Sequence, residues 1–95
     1  MVIEHAVFDI KEDKRAAFES AFAQGALFIS ASPGYISHGI HGCIETPGRY
    51  LILIRWRTRE DHTVGFRNSA NYPDFKKLLH PFMDPFPLIE HFEAG

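Results

Sequence analysis

Six histidines are the residues of this chain best suited to proton transfer near neutral pH, because the imidazole side chain titrates there. Two of them have neighbours that favour a catalytic role. His5 lies in the middle of a predicted strand among apolar residues, and His80 closes a predicted helix just before a proline-rich loop. Each is a candidate general base, although His5 could instead be a hydrogen-bonded core residue and His80 a cation at a helix C-terminus.

The other four histidines have weaker claims to a catalytic role. His38 and His41 lie on one predicted strand and point to opposite faces, and His62 falls in the first, exposed turn of a predicted helix. We interpret these three as structural. His91 lies on the last predicted strand, which is expected to neighbour the first strand, so that His91 could approach His5.

Four aromatic residues could form the wall of a pocket for a planar molecule: Trp56, Phe66, Tyr72 and Phe75. Aromatic side chains stack on planar rings, but they are also the usual filling of a small hydrophobic core. The segment HPFMDPFP at 80–87 is too apolar for a flexible linker. It must therefore pack against another part of the protein.

Metal and cofactor chemistry have little support in the sequence. A site made of His5, His91 and either Glu4 or Glu93 is conceivable, but strand neighbours point to opposite faces and no HxH or HxxxH spacing occurs. Cys43 has no histidine or acid at a spacing diagnostic of a nucleophile. No glycine-rich phosphate-binding pattern is present. We therefore expect no metal, flavin, nicotinamide or other cofactor.

The composition is that of one compact domain covering residues 1–95. Of the 95 residues, 45% are apolar and 14% are aromatic, which argues against disorder. The net charge of −2 and the scattered Lys and Arg residues give no basic surface for nucleic acid or an anionic membrane. With one cysteine, no leader pattern and no long apolar span, the sequence predicts a cytoplasmic protein.

The hydrophobic pattern predicts four strands and two helical regions in the order βαββαβ. The predicted strands cover 2–10, 35–45, 49–57 and 87–93, and the helical regions cover 11–31 and 58–80. Thr58 and Asp61 have the spacing of a capping pair, and Pro73 fits the first turn of a second short helix after a break at 69–71. This order is typical of an antiparallel sheet with both helices on one face, which is the α+β ferredoxin-like fold.

Two of the predicted strands are apolar on both faces. Leu51, Ile52, Leu53 and Ile54 are apolar at odd and even positions alike, and residues 2–10 have a similar pattern. A strand of this kind is normally covered on both sides, but two helices on one face leave the other face bare. Because a large exposed apolar face is rare on a monomer, we expect a homodimer in which a second copy covers it.

Four segments of the chain resemble the antibiotic biosynthesis monooxygenase family: SPGY at 32–35, RYLILIRW at 49–56, EDHTVGFR at 60–67 and LLHPFMDPFPLIEHF at 78–92. The resemblance covers nearly the whole chain. It implies a dimeric α+β barrel, in which two ferredoxin-like protomers pack their open sheet faces together. Some members are cofactor-independent monooxygenases of aromatic phenols and quinone precursors, and others degrade haem. Fold membership alone does not choose between these activities.

The haem-degrading members use an asparagine on the first strand, a tryptophan on the second helix and a histidine near the end of that helix. The comparable positions in this chain are His5, Phe66 and His80. Only at His80 does this chain have the same residue type as the haem-degrading members, which argues against haem degradation. The family positions do support His5 and His80 as pocket residues and Phe66 as part of the pocket wall.

Sequence and resemblance together predict a cofactor-independent monooxygenase of a small aromatic or quinol-like molecule. His80 or His5 is the expected base, and the aromatic residues named above, Trp56 among them, form the expected substrate-binding wall. The alternative from another class is a non-catalytic dimeric barrel that binds a small ligand or regulates a partner. A haem-degrading monooxygenase is the third reading.

Overall fold

The computed structural model describes residues 1–94, and it has four strands and two α-helices. These elements are β1 (Val2–Asp9), α1 (Arg15–Ser30), β2 (Tyr35–Gly42), β3 (Arg49–Trp56), α2 (Tyr72–Leu79) and β4 (Ile89–Glu93). Short turns of 3-10 helix cover Glu12–Lys14 and His80–Phe82, and a turn of π-helix covers Asp61–Phe66. The predicted order βαββαβ is confirmed.

The four strands form one antiparallel sheet in the order β2-β3-β1-β4. The two helices pack against each other, and both contribute to the same hydrophobic core on one side of the sheet. This arrangement is the predicted α+β ferredoxin-like fold.

The core lies between the sheet and the helices. Side chains at alternate positions of a strand share one face, and on β1 and β3 the even-numbered residues point inward. The core includes Ala6, Phe8, Ile52, Ile54 and Trp56 from the sheet and Phe18, Phe22, Ile29 and Leu79 from the helices. The inner face of the sheet is therefore the one that any enclosed site must use.

The opposite face of the sheet is not covered by any element within residues 1–94. Its central positions are Ile3, His5, Val7, Leu51, Leu53 and Arg55. None of these side chains is fully buried, and Phe92 of β4 is 48% exposed. Within the protomer, only one of the two apolar faces of β1 and β3 is therefore covered.

The helical region predicted over 58–80 is divided into separate turns. Thr58 and Asp61 form the expected capping pair, since the Thr58 N–H donates to the Asp61 carboxylate at 3.1 Å and the Asp61 N–H donates to the Thr58 hydroxyl at 3.2 Å. A π-turn follows, and α2 begins at Tyr72 with Pro73 in its first turn. Gly34, with φ at +86°, packs so closely on Asp61 that a Cβ would collide with the carboxylate.

All four predicted strands are longer than the observed ones, β1 and β3 by one residue at their ends and the other two by more. β2 ends at Gly42 rather than at residue 45, and β4 begins at Ile89 rather than at residue 87. Within the described part of the chain, no helix combines the length and the apolar character needed to cross a membrane.

Candidate active site

A cavity of about 180 Å³ lies between the inner face of the sheet, the two helices and the loop that leads to β4. Most of its lining is apolar, with Ile54 from the sheet, Leu79 from α2 and Met83 from the loop as examples. An apolar cavity of about 150 Å³ is large enough to hold benzene. The enclosed part of this cavity therefore has room for about one aromatic ring.

The four aromatic residues predicted as a pocket wall all line this cavity. Trp56 and Phe66 are 0% and 2% exposed, and their ring centroids are 6.0 Å apart. Tyr72 and Phe75 meet Phe66 edge to face, at 5.5 Å and 5.3 Å. Edge-to-face contacts are a favoured arrangement of aromatic rings, so these three side chains stabilise one another's positions in the wall. That these residues bind a substrate stays a prediction.

Glu4 supplies the single carboxyl among the residues that line the cavity. It lies on β1 beside the core residues and is 7% exposed. The indole N–H of Trp56 donates to Glu4 Oε1 at 3.0 Å. Burial raises the pKa of Glu4 from 4.5 to about 7, although the bond from Trp56 and the charge of Arg67 both act to lower it. Desolvation wins because a carboxylate in an apolar site loses its water.

His62 lies next to Glu4, which the sequence analysis did not predict. We expected an exposed turn, and this was wrong, because His62 is 4% exposed. Its carbonyl accepts the N–H of Arg67, five residues later, at 3.2 Å, and this wide π-turn carries the side chain inward. The imidazole stacks on Trp56 at 5.6 Å, and its Nε2 lies 3.4 Å from Glu4 Oε1. Burial, with the charges of Arg67 and His91, lowers the pKa of His62 to about 3.

His91 extends this cluster towards the surface. Its Nε2 is 2.8 Å from Nδ1 of His62. The expectation that His91 approaches His5 was wrong, because His91 is paired in register with Glu4 and shares its face of the sheet, whereas His5 is paired with Glu90. His91 is half-buried, and this burial lowers its pKa, as do the nearby guanidinium groups.

Arg67 brings a positive charge to the same site. Arg67 lines the cavity but is an exposed residue. Its guanidinium therefore lies at the mouth of the cavity. None of the ion pairs within residues 1–94 involves Arg67. It is therefore free to meet an anionic group of a ligand.

Neither histidine predicted as the base lines the cavity. His5 points to the open face of the sheet, where its ring meets Phe92 edge to face at 5.5 Å and its buried Nδ1 has no hydrogen-bond partner. His80 is exposed at the start of the 3-10 turn after α2. The catalytic roles of both stay predictions without a contact to this cavity.

The metal site considered for His5, His91 and a carboxylate is not assembled. His5 lies on the opposite side of the sheet from His91 and Glu4, and residues 1–94 contain no group of three metal-binding side chains close enough to share an ion.

Comparison with known proteins identifies the family of this fold and site. Residues 1–78 match the model of the antibiotic biosynthesis monooxygenase family. The chain belongs to this family. It is 50% identical over 93 residues to YczJ, an uncharacterised protein of Bacillus subtilis (strain 168), and the match covers 98% of both chains.

Solved structures of similar proteins agree with this family assignment. A proposed antibiotic biosynthesis monooxygenase from Bordetella bronchiseptica superposes with a TM-score of 0.91 at 28% identity, over 99% of this chain and 96% of the other. SnoaB, a cofactor-independent oxygenase from Streptomyces nogalater, superposes with a TM-score of 0.80 at 21% identity, over 99% of this chain and 92% of the other. The second likeness concerns the fold alone.

In this member of the antibiotic biosynthesis monooxygenase family, the inner face of β1 carries the single carboxyl among the residues that line the cavity. Glu4, Ala6 and Phe8 share that face, and a carboxyl at such a position is costly to bury without a function. The sequence does not reveal which face carries Glu4, because the odd-numbered residues of β1, which include His5, are equally apolar.

Proposed function

We propose that this protein is a cofactor-independent monooxygenase that oxidises a small aromatic or quinol-like molecule in the cavity, with Glu4 as the base. One observation carries the proposal, namely a lone carboxyl with a pKa of about 7 in an apolar, aromatic-walled cavity. A surface glutamate is a weak base at neutral pH. A carboxyl whose pKa lies near the working pH is much better matched to taking a proton from carbon or oxygen.

The aromatic wall supports a flat substrate. A ring that enters the cavity would lie against Trp56 and Phe66 and touch Tyr72 and Phe75 at its edge. The enclosed volume of about 180 Å³ is close to that of an apolar cavity of about 150 Å³ that holds benzene. It would take one ring of a small aromatic substrate, with any further ring towards the mouth beside Arg67, and it is far too small for haem. The cavity therefore gives no support to the haem-degrading alternative.

The first chemical step would be proton abstraction by the Glu4 carboxylate. Oε1 already accepts the Trp56 N–H, and within residues 1–94 no hydrogen bond engages Oε2, which is therefore free to take a phenolic proton or a proton of an activated ring CH₂. The resulting anion would develop near the guanidinium of Arg67. A cation at the edge of a low-dielectric cavity stabilises such a charge more than it would in water.

The second step would be transfer of an electron from the substrate anion to dioxygen, followed by formation of a C–O bond. For a ring CH₂ that becomes a carbonyl, the carbon loses both hydrogens and gains one oxygen atom. The other oxygen atom leaves as water with those two hydrogens. The substrate itself is the reductant, so the reaction needs no added cofactor.

Oxidation of anthrone tests this proposal, with oxygen uptake and the absorbance of anthraquinone as readouts. We expect Glu4→Gln, which keeps the size and the acceptor for Trp56, to lower kcat by about 10² or more. Glu45→Gln is the matched control, because Glu45 is exposed in the loop after β2 and does not line the cavity. Wild-type activity should rise with pH as Glu4 ionises near pH 7.

His5→Ala and His80→Ala test the two histidines that the sequence favoured. A large loss of activity in either variant, with Glu4→Gln still active, would assign the base to that histidine and refute the role of Glu4. Tight binding of anthrone without turnover would instead favour the alternative of a non-catalytic barrel that binds a small apolar ligand.

We also propose that the working unit is a homodimer in which the open faces of two sheets pack together. The support is the row of half-buried apolar side chains on β1 and β3, exemplified by Val7, Leu51 and Leu53. An obligate interface of this kind commonly buries about 2,000 Å² or more. The cavity lies on the other side of the sheet, so each protomer would carry its own site.

A further inference from the structure

The geometry points to a proton relay in which His62 and His91 connect the carboxyl of Glu4 to solvent outside the cavity. This inference rests on the proposed function for its role in turnover, but the relay itself is a property of the unliganded protein. It also identifies His62 and His91 as positioning residues for the proton rather than as groups that touch the substrate.

The three side chains form a continuous line across three elements. Glu4 Oε1 on β1 lies 3.4 Å from His62 Nε2 on the π-turn, and His62 Nδ1 lies 2.8 Å from His91 Nε2 on β4. The second distance is that of a good hydrogen bond. The first is slightly long, as is common for a catalytic contact before a ligand is bound.

The inner and outer ends of this line face different environments. Glu4 and His62 both line the cavity. His91 lines a separate surface cleft together with Arg59 and Glu60. A proton that travels from Glu4 to His91 therefore leaves the apolar cavity without passing through its mouth, which a bound ring would close.

Proton transfer along the line keeps His62 neutral throughout. A half-turn of the protonated carboxyl about its Cγ–Cδ bond first brings the oxygen that took the substrate proton to the position of Oε1, beside His62. That oxygen then gives its proton to Nε2 of His62 while Nδ1–H of His62 gives its proton to Nε2 of His91. His91 then releases its Nδ1 proton to water. The opposite sequence returns a proton to Glu4 and restores both tautomers, so that one outward and one inward transfer leave the relay unchanged.

The charges around the relay disfavour a proton that stays on one of its groups, so they favour transfer of the proton to solvent. Arg67 faces all three groups and disfavours an extra proton on each, since it lowers the pKa of Glu4, His62 and His91. At the outer end, Arg59 acts in the same sense on His91, whereas Glu60 opposes it. Trp56, packed against the inner end, contributes a neutral N–H donor to Glu4.

The chain contains a built-in reporter for this relay. Trp56 is the single tryptophan, it donates to Glu4, and it stacks on His62. Its fluorescence should follow the ionisation of Glu4 without any substrate. A microsecond pH jump across pH 7 then measures how fast Glu4 exchanges its proton with solvent.

We expect His62→Phe and His91→Phe each to slow this fluorescence relaxation at least tenfold. His62→Phe keeps an aromatic ring against Trp56, which protects the packing, and His91→Ala provides a second test in which added imidazole should restore the rate. His41→Ala, an exposed histidine on β2, is the matched control and should relax as fast as the wild type.

Relaxation at the wild-type rate in both His62→Phe and His91→Phe would overturn the relay, because Glu4 would then exchange through the cavity mouth. Failure of imidazole to rescue a slow His91→Ala variant would also overturn it, since the loss would be structural. These results are independent of turnover: a relay that passes these tests in a protein inactive on anthrone would refute the proposed reaction and leave the relay intact.

Discussion

Replacement of Glu4 by glutamine should make the protein more stable at pH 8 and leave its stability nearly unchanged at pH 4. Glutamine keeps the shape of the side chain and an oxygen that accepts the Trp56 N–H. It removes only the ability to ionise. The comparison of the two proteins across pH therefore isolates the free energy of placing a charged carboxylate in the cavity wall.

The magnitude follows from the raised pKa of Glu4. A change from 4.5 in the unfolded chain to about 7 in the folded protein, at about 1.4 kcal/mol per pKa unit, corresponds to about 3 kcal/mol. A group with a raised folded pKa contributes its full stability below the unfolded pKa and loses it as pH rises through the folded pKa. Wild type should thus lose about 3 kcal/mol relative to Glu4→Gln between pH 4.5 and pH 7.

Other ionisable groups do not disturb this difference. The pKa of His62 is lowered to about 3, so its contribution is present above its ordinary pKa of 6.5 and is lost as pH falls towards 3. Both proteins contain His62, and its effect on their difference in stability is small. Glu45→Gln, at an exposed position in the loop after β2, controls for the loss of one negative charge.

Urea unfolding at pH 4, 5, 6, 7 and 8, followed by circular dichroism at one protein concentration, is the appropriate assay. A difference of about 3 kcal/mol should also separate the melting temperatures at pH 8 by more than about 10 °C in a domain of this size. If the free energies of unfolding of wild type and Glu4→Gln run parallel from pH 4 to pH 8, the pKa of Glu4 is not raised. The proposed base would then lose its physical justification.

Three further predictions test other parts of the structure. The fluorescence of Trp56 should titrate with a midpoint near pH 7, and this transition should disappear in Glu4→Gln. Leu53→Glu, at the centre of the open face of the sheet, should convert the proposed dimer to a monomer, and an unchanged mass in analytical ultracentrifugation would contradict the packing of open faces. Gly25→Ala should destabilise the protein by about 1–3 kcal/mol, because its Cβ would lie 2.9 Å from a side chain of α2, whereas Gly42→Ala meets open space and should change stability little in the same urea assay.

The sequence determined the fold and much of the cavity wall. The periodicity of apolar residues separates strands from helices, and two helices with four strands in this order have few compact arrangements. Most large aromatic residues of a compact domain are buried, as Trp56 and Phe66 are. They therefore line any space that remains between the sheet and the helices, which is why the predicted wall agrees with the observed one.

The identity of the ionisable groups in the cavity was decided only by the tertiary structure. On β1, residues on both faces are apolar, so the alternation of side chains does not say whether Glu4 or His5 faces the helices. A shift of one residue in pairing would exchange the two. The observed register, in which Glu4 lies opposite His91, is a property of the assembled sheet.

The position of His62 depended on a local feature that residue patterns do not encode. Its segment begins with a normal capping pair and then opens into a π-turn, which adds one residue to the turn and carries the imidazole under the sheet beside Trp56. The sequence thus supplied the residues of the cluster, but Glu4, His62 and His91 come from segments that are far apart along the chain. Only the packing of β1, the π-turn and β4 around one cavity brings their side chains within reach of each other and removes the water that would otherwise keep their pKa values ordinary.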